Sequence, residues 1–191
     1  MEIPVFEPFP KMGRLFRDVI VTEKIDGTNA SVTVLEDGRV LAASRTRWIT
    51  PQDDNFGFAR WVADHEEGLR EILGPGKHFG EWWGSGIQRG YGLPKGEKRF
   101  SLFNVSRFAS VALPDFLSLV PVLYEGTFDT GFIRGAAECL EVQGSAAAPG
   151  FMNPEGIVAF HPRGNVGFKF TLDGDAHKEE EKRKAFEAKG Q

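Results

Sequence analysis

Apolar and polar positions between Asp18 and Ser44 follow the pattern of strand, turn, strand. Val19-Ile20-Val21-Thr22 is β-branched, and Ala30 to Leu35 alternates small or polar residues with apolar ones, the period of a half-buried strand. Asp37-Gly38 supplies a hairpin turn into Val40-Leu41-Ala42-Ala43. Between Asp54 and Leu73 the period changes. Phe58, Val62, His65, Leu69, Ile72 and Leu73 recur at three- and four-residue spacing, which predicts an amphipathic helix ended by Gly74-Pro75-Gly76. Further strands are expected at His78–Trp83, Phe100–Val105 and Val120–Tyr124, a glycine-rich loop at Gly84–Gly96 and a short helix at Phe132–Val142. A loop over Gly144–Pro154 precedes a hairpin, Gly156–Phe160 with Val166–Thr171, joined across Pro162-Arg163-Gly164-Asn165. Strands outnumber helices without alternating with them, so the expected class is α+β with antiparallel sheet.

Composition narrows this picture. The 191 residues suit one domain, and 41% hydrophobic with 26% charged residues is the balance of a folded core. Residues 1–172 are expected to form that domain, with 173–191 a charged tail or helix rich in Lys, Glu and Ala. The single cysteine, Cys139, excludes an intramolecular disulfide and a multi-cysteine zinc site, and it points to a reducing, cytoplasmic setting. No apolar run is long enough to span a bilayer, and the start carries two acids and three prolines, unlike a secretory signal. The net charge of −4 argues against nucleic-acid binding by bulk charge, though it leaves room for a local basic groove.

Four short stretches could carry chemistry. In Glu23-Lys24-Ile25-Asp26-Gly27-Thr28, followed by Asn29, Lys24 and Asp26 fall on one face of an extended segment, and Gly27 lets a ligand or backbone approach. A lysine among carboxylates is favoured as its ammonium, so it suits nucleophilic work only where a divalent cation and a polyphosphate reverse the local field. The same residues also read as a surface turn with an ion pair. In Phe79-Gly80-Glu81-Trp82-Trp83-Gly84, Glu81 shares a strand face with Phe79 and Trp83. It is either a solvent-edge residue or an acceptor for ribose hydroxyls beside a stacking surface. Glu155 stands before the apolar Gly156-Ile157-Val158, and Lys169 projects from a strand whose other face is Val166, Phe168 and Phe170. Each of these two, alone, reads as solvated surface.

Together and in this order, with Ser44-Arg45-Thr46 between the first and second, the stretches resemble the covalent nucleotidyltransferase superfamily of ligases and capping enzymes. Within it they are most similar to RNA ligases of the phage T4 RNA ligase 2 type, through Glu23-Lys24-Ile25, Gly27-Thr28-Asn29 and the later acids and lysine, over about residues 22–171. The resemblance implies the ATP-grasp-like adenylation domain of ligases. It implies an ATP-dependent enzyme that joins RNA 5′-phosphate and 3′-hydroxyl ends at nicks or breaks.

By the same resemblance, Lys24 attacks the α-phosphorus of ATP to give a lysyl-AMP, with Glu23, Ile25, Asp26 and Gly27 completing the nucleotide loop. Asn29 stands near the activated phosphate, as does Arg45, with Arg47 a nearby rival. Glu81 accepts a ribose hydroxyl. Phe103 stacks on adenine, with Phe100 as the alternative. Glu155 holds a divalent Mg2+ or Mn2+, and Lys169 holds the α-phosphate. The chain departs from the family at Gly167 and Thr171, which flank Lys169 where a second lysine is usual; Lys178 or Arg163 are the stand-ins.

No OB-fold or other accessory domain is expected in the chain, so a separate RNA-binding or repair partner would supply it. Arg45, Arg47, Arg89, Lys95, Lys98 and Arg99 are either an RNA groove or ordinary surface. A capping-type guanylyltransferase and a non-sealing nucleotide- or RNA-binding relative share much of the series.

Overall fold

The computed structural model describes residues 5–10 and 12–174. Two sheets organise it. The first has the order β10-β9-β1-β8, from β1 (Asp18–Lys24), β8 (Val122–Thr127), β9 (Gly156–His161) and β10 (Val166–Thr171), all antiparallel. The second has the order β4-β3-β2-β5-β6-β7, from β2 (Thr28–Val34), β3 (Val40–Ser44), β4 (Trp48–Ile49), β5 (Gly76–Gly84), β6 (Lys98–Leu102) and β7 (Leu117–Leu119). Only β6 and β7 run parallel. The α+β reading, with sheet mostly antiparallel, holds.

The sheets bury opposite sides. One face of the six-stranded sheet, with Ala30, Val32, Trp82, Phe100 and Leu102, packs on α1 (Phe58–Asp64) and α2 (Glu66–Leu73) in the main core. One face of the four-stranded sheet, with Val19, Val21, Ile157 and Ala159, packs against Ala137 and Leu140 of α4 (Thr130–Gln143). The remaining faces look towards each other. Ile20, Ile25, Trp83, Tyr91 and Val120 seal them together at one end and leave a cleft beside that seal.

Four expected elements differ. The helix over Asp54–Leu73 is two helices, because His65 leaves helical geometry at φ −117° and ψ 18°. The strand expected to reach Val105 stops at Leu102, since Asn104 caps α3 (Val105–Phe108) by accepting from the Arg107 N–H. The strand expected at Val120–Tyr124 begins only at Val122, as β8, after Pro121, which has no N–H to give a ladder, and β7 at Leu117–Leu119 is an additional strand before it. The apolar face expected along Val166, Phe168 and Phe170 is covered only at Phe170; Phe168 is 58% exposed. The expected charged tail lies outside the described residues from 175 onward, Lys178 included. Among the described residues no helix is long and apolar enough to cross a membrane.

Candidate active site

Alternation along β1 divides its residues between two environments. Ile20, Thr22 and Lys24 face the cleft, while Val19, Val21 and Glu23 face the interior. Lys24 ends the strand opposite Gly156, and Thr22 pairs with Val158, which pairs in turn with Lys169. Glu155, Lys24 and Lys169 are therefore delivered to one wall by register alone. The backbone at Gly156 leaves no room for a side chain, since a Cβ would stand 2.1 Å from the Phe170 carbonyl oxygen. This pins Glu155 at the strand entrance, where its Oε1 is 2.5 Å from Lys24 Nζ. The other oxygen, Oε2, is buried and has no hydrogen-bond partner among the described residues.

The opposite wall comes from β2 and β5. Asn29 pairs with Glu81 across them, and both line the cleft. Asp26 and Gly27 bridge the walls. The Gly27 N–H donates to Glu81 Oε1 at 3.1 Å, and the Asp26 N–H donates to the Tyr91 hydroxyl at 2.9 Å. Gly27 must be glycine for a steric reason: a Cβ would lie 2.5 Å from the Trp82 carbonyl oxygen and 2.7 Å from Trp83 Cβ. Burial pushes the Glu81 carboxyl up to about 7, against the pull of the nearby Lys24 ammonium and the Gly27 N–H. The cavity between the walls is about 860 Å³.

Sequence expectations divide at this point. Lys24, Asp26, Gly27, Asn29, Arg45, Glu81, Phe103 and Lys169 all line the cleft, with Glu155 paired to Lys24. Arg45 sits on the turn after β3 and makes no ion pair among the described residues, whereas its rival Arg47 is bound to Asp53 through both nitrogens of its fork. Phe103, released from β6 by the Asn104 cap, is 39% exposed on the cleft. Phe100 is fully buried against Phe58 and Trp61 and cannot stack on a ligand. Arg163 lies in the turn at the far end of β9 from Glu155, so it cannot replace a second lysine. Of the two residues flanking Lys169, Gly167 pairs with Phe160 and Thr171 with Gly156.

Glu23 and Ile25 line the cleft with their side chains turned away from it. Glu23 does not aim its carboxylate into the cleft. It is 1% exposed and accepts from the Ser145 hydroxyl at 2.6 Å and the Ala147 N–H at 2.9 Å, in the loop after α4. Burial raises its pKa, opposed by those bonds. Ile25 is likewise buried, on Trp83 and Tyr91, so only its backbone can meet a ligand. Of the six basic residues read as groove or ordinary surface, Arg47, Arg89, Lys98 and Arg99 are engaged within the fold. Arg99 pairs with Glu97 and Lys98 donates to the Phe56 carbonyl.

Arg89, which the sequence offers only as groove or surface, is a clasp. It bonds Asp26 at 3.1 Å, the Asn153 carbonyl at 3.1 Å, the Pro154 carbonyl at 3.2 Å and Asp173 at 2.6 Å. Its fork thus joins the Lys24 loop to the segment before Glu155 and to the end of β10.

Among the described residues no three His, Cys, Asp or Glu side chains converge as a metal cage. A single buried, unpartnered carboxylate oxygen on Glu155 suits a hard divalent ion that takes its other ligands from water and phosphate.

A family model described as RNA ligase matches residues 17–171. Among solved structures, a variant of the Naegleria gruberi RNA ligase with AMP and Mn superposes with a TM-score of 0.60 at 19% identity, covering 92% of this chain and 59% of that one. The Naegleria enzyme with PPi gives 0.59 at 18%, over 94% of this chain and 60% of the other. An archaeal ATP-dependent RNA ligase gives 0.57 at 20%, over 85% and 48%. At these identities the likeness establishes the fold, and the chain spans about three fifths or less of those structures. No curated protein matches it.

Proposed function

Because this chain belongs to the RNA ligase family, we propose that it is an ATP-dependent RNA ligase working through a covalent lysyl-AMP on Lys24. The observation that carries the reading is the Lys24–Glu155 pair at 2.5 Å, set between Lys169 on one wall and Asn29 and Glu81 on the other. In this mechanism Lys24 Nζ sheds a proton, with Glu155 beside it to accept one. The amine then attacks the α-phosphorus, the α–β anhydride bond breaks, and pyrophosphate leaves. Lys169 and Arg45 offset the charge that builds on the α-phosphate, and Asn29 orients it. Glu81 accepts a ribose hydroxyl. Phe103 stacks on adenine, in a cleft also lined by the apolar Ile20 and Val158. The backbone of Glu23 and Ile25 and the turn at Asp26 and Gly27 frame the nucleotide.

A divalent Mg2+ or Mn2+, held by Glu155 and the phosphates, supplies charge neutralisation when bound. The AMP then passes to an RNA 5′-phosphate, and a 3′-hydroxyl displaces it to seal the strand. The domain formed by 1–172 performs the nucleotide steps. Sealing draws on further RNA contacts, from this chain or from a separate partner, in a cytoplasmic setting.

The decisive test is the intact mass of purified protein after incubation with ATP and Mg2+. Wild type should gain one AMP and Lys24→Ala none, and GTP should give no adduct. An adduct on Lys24→Ala would overturn the assignment.

A further inference from the structure

Resting on that reading, we propose that the cleft-side face of the six-stranded sheet, where it runs from the rim of the cavity at Lys77 and Phe79 out to Trp48, binds a single-stranded segment of RNA entering the cleft. Cross-strand partners share a face, so register shows which side chains stand together. One row across the sheet runs Trp48, Ala43, Ser31 and Phe79, and the Phe103 N–H donates to the Phe79 carbonyl at its end. The next row holds Leu41, Thr33 and Lys77. On the other side, Asn29 and Glu81 lead into the candidate active site.

This face carries unusual side chains for an open surface. Trp48 is 56% and Phe79 48% exposed, and Lys77 Nζ lies 5.7 Å from the Trp48 ring and 4.9 Å from the Phe79 ring. Lys77 makes no ion pair among the described residues, and neither row contains a carboxylate. Beneath them Ser31 is 1% exposed, and its hydroxyl and that of Thr33 are buried without hydrogen-bond partners among the described residues. Aromatic faces that stack bases and a cation for phosphate are the components of a site for unpaired RNA. A duplex keeps its bases stacked on one another and has no use for the rings. An acidic peptide would use Lys77 but not the aromatic pair. Continuity with Phe103 and Glu81 directs a bound strand towards Lys24.

Trp48 is the most exposed of the four tryptophans, which gives the test a direct signal. A short oligouridylate with an unpaired 3′ end is titrated into the full chain, following both anisotropy of the oligonucleotide and tryptophan emission. Binding should quench emission. Trp48→Phe should keep the affinity and lose the quenching, because a ring remains to stack but the reporter is gone. Trp48→Ala and Lys77→Ala should each weaken binding by about fivefold or more, the loss of roughly one stacked base or its cation. Trp48→Ala should take up AMP from ATP at the wild-type rate. Unchanged affinity in Trp48→Ala, or an equal loss on fully duplex RNA, would overturn the proposal. A wild type that binds oligouridylate but gains no AMP would fault the ligase reading and leave the platform standing.

Discussion

The two faces of β1 carry adjacent charged residues with opposite fates. Glu23 looks inward, and both of its oxygens are satisfied by Ser145 and Ala147. Lys24 looks into the cleft towards Glu155, which keeps one buried oxygen without a partner among the described residues. A buried group whose bonding is complete rigidifies the fold, whereas one left incomplete stands ready for a ligand. One residue of register separates structure from chemistry in this strand.

That division can be broken by exchanging losses. Lys24→Ala should abolish AMP uptake, the largest effect, while shifting the melting temperature less than Glu23→Ala does. Glu23→Ala leaves the Ser145 hydroxyl and the Ala147 N–H without their acceptor, so it should cost about 2–3 kcal/mol of stability. The folded fraction should still form the AMP adduct. A folded Glu23→Ala protein that binds no ATP would return Glu23 to the nucleotide site.

Glu81 sharpens the comparison, since it belongs to the cleft but is penalised by burial. A carboxyl raised to about 7 in the fold holds more protons there than in the unfolded chain between its ordinary value of 4.5 and 7. Its contribution therefore weakens stability as pH climbs through that window, by at most about 3 kcal/mol. Glu81→Gln keeps an acceptor for the Gly27 N–H and removes the titration. Denaturant melts should show it matching wild type near pH 4.5 and exceeding it by about 2 kcal/mol at pH 8. Parallel stability profiles would show that Glu81 is charged throughout. The smallest effect belongs to Phe103→Leu. An exposed ring lost from the cleft should leave the fold intact and weaken ATP binding by about 1 kcal/mol, readable by calorimetry.

Much of the cleft was legible because each of its chemical groups sits in a short local pattern. Lys24, Glu81, Glu155 and Lys169 lie in or beside strands whose alternation was plain, so their faces followed from period two. The end of β6 was readable too, since Asn104 is a capping residue, but its apolar neighbours Phe103 and Val105 outweighed it in the pattern. Pro121 carried the signal for the break between β7 and β8. What no local pattern could reveal were bonds between distant positions. Glu23 meets Ser145 across 122 positions and Arg89 meets Asp26 across 63, and neither pairing leaves a periodicity. The sharing of Lys77 between Trp48 and Phe79 also required the order of strands, which hydropathy does not specify.

The Arg89 clasp bears on the order in which the molecule assembles. Its bond to Asp173 closes across 84 positions and its bonds to Asn153 across 64, so none can form until β1, β9 and β10 already lie side by side. Contacts that close so late are expected to form after the folding transition state, because loop-closure entropy is lost before they reward it. Replacing Arg89 should then leave the refolding rate nearly unchanged and accelerate unfolding. Stopped-flow chevrons would display this as a shift confined to the unfolding limb. The same side chain that squares the cleft for its ligand thus acts as a brake on the native state's escape, setting the lifetime of the fold and not the speed of its arrival.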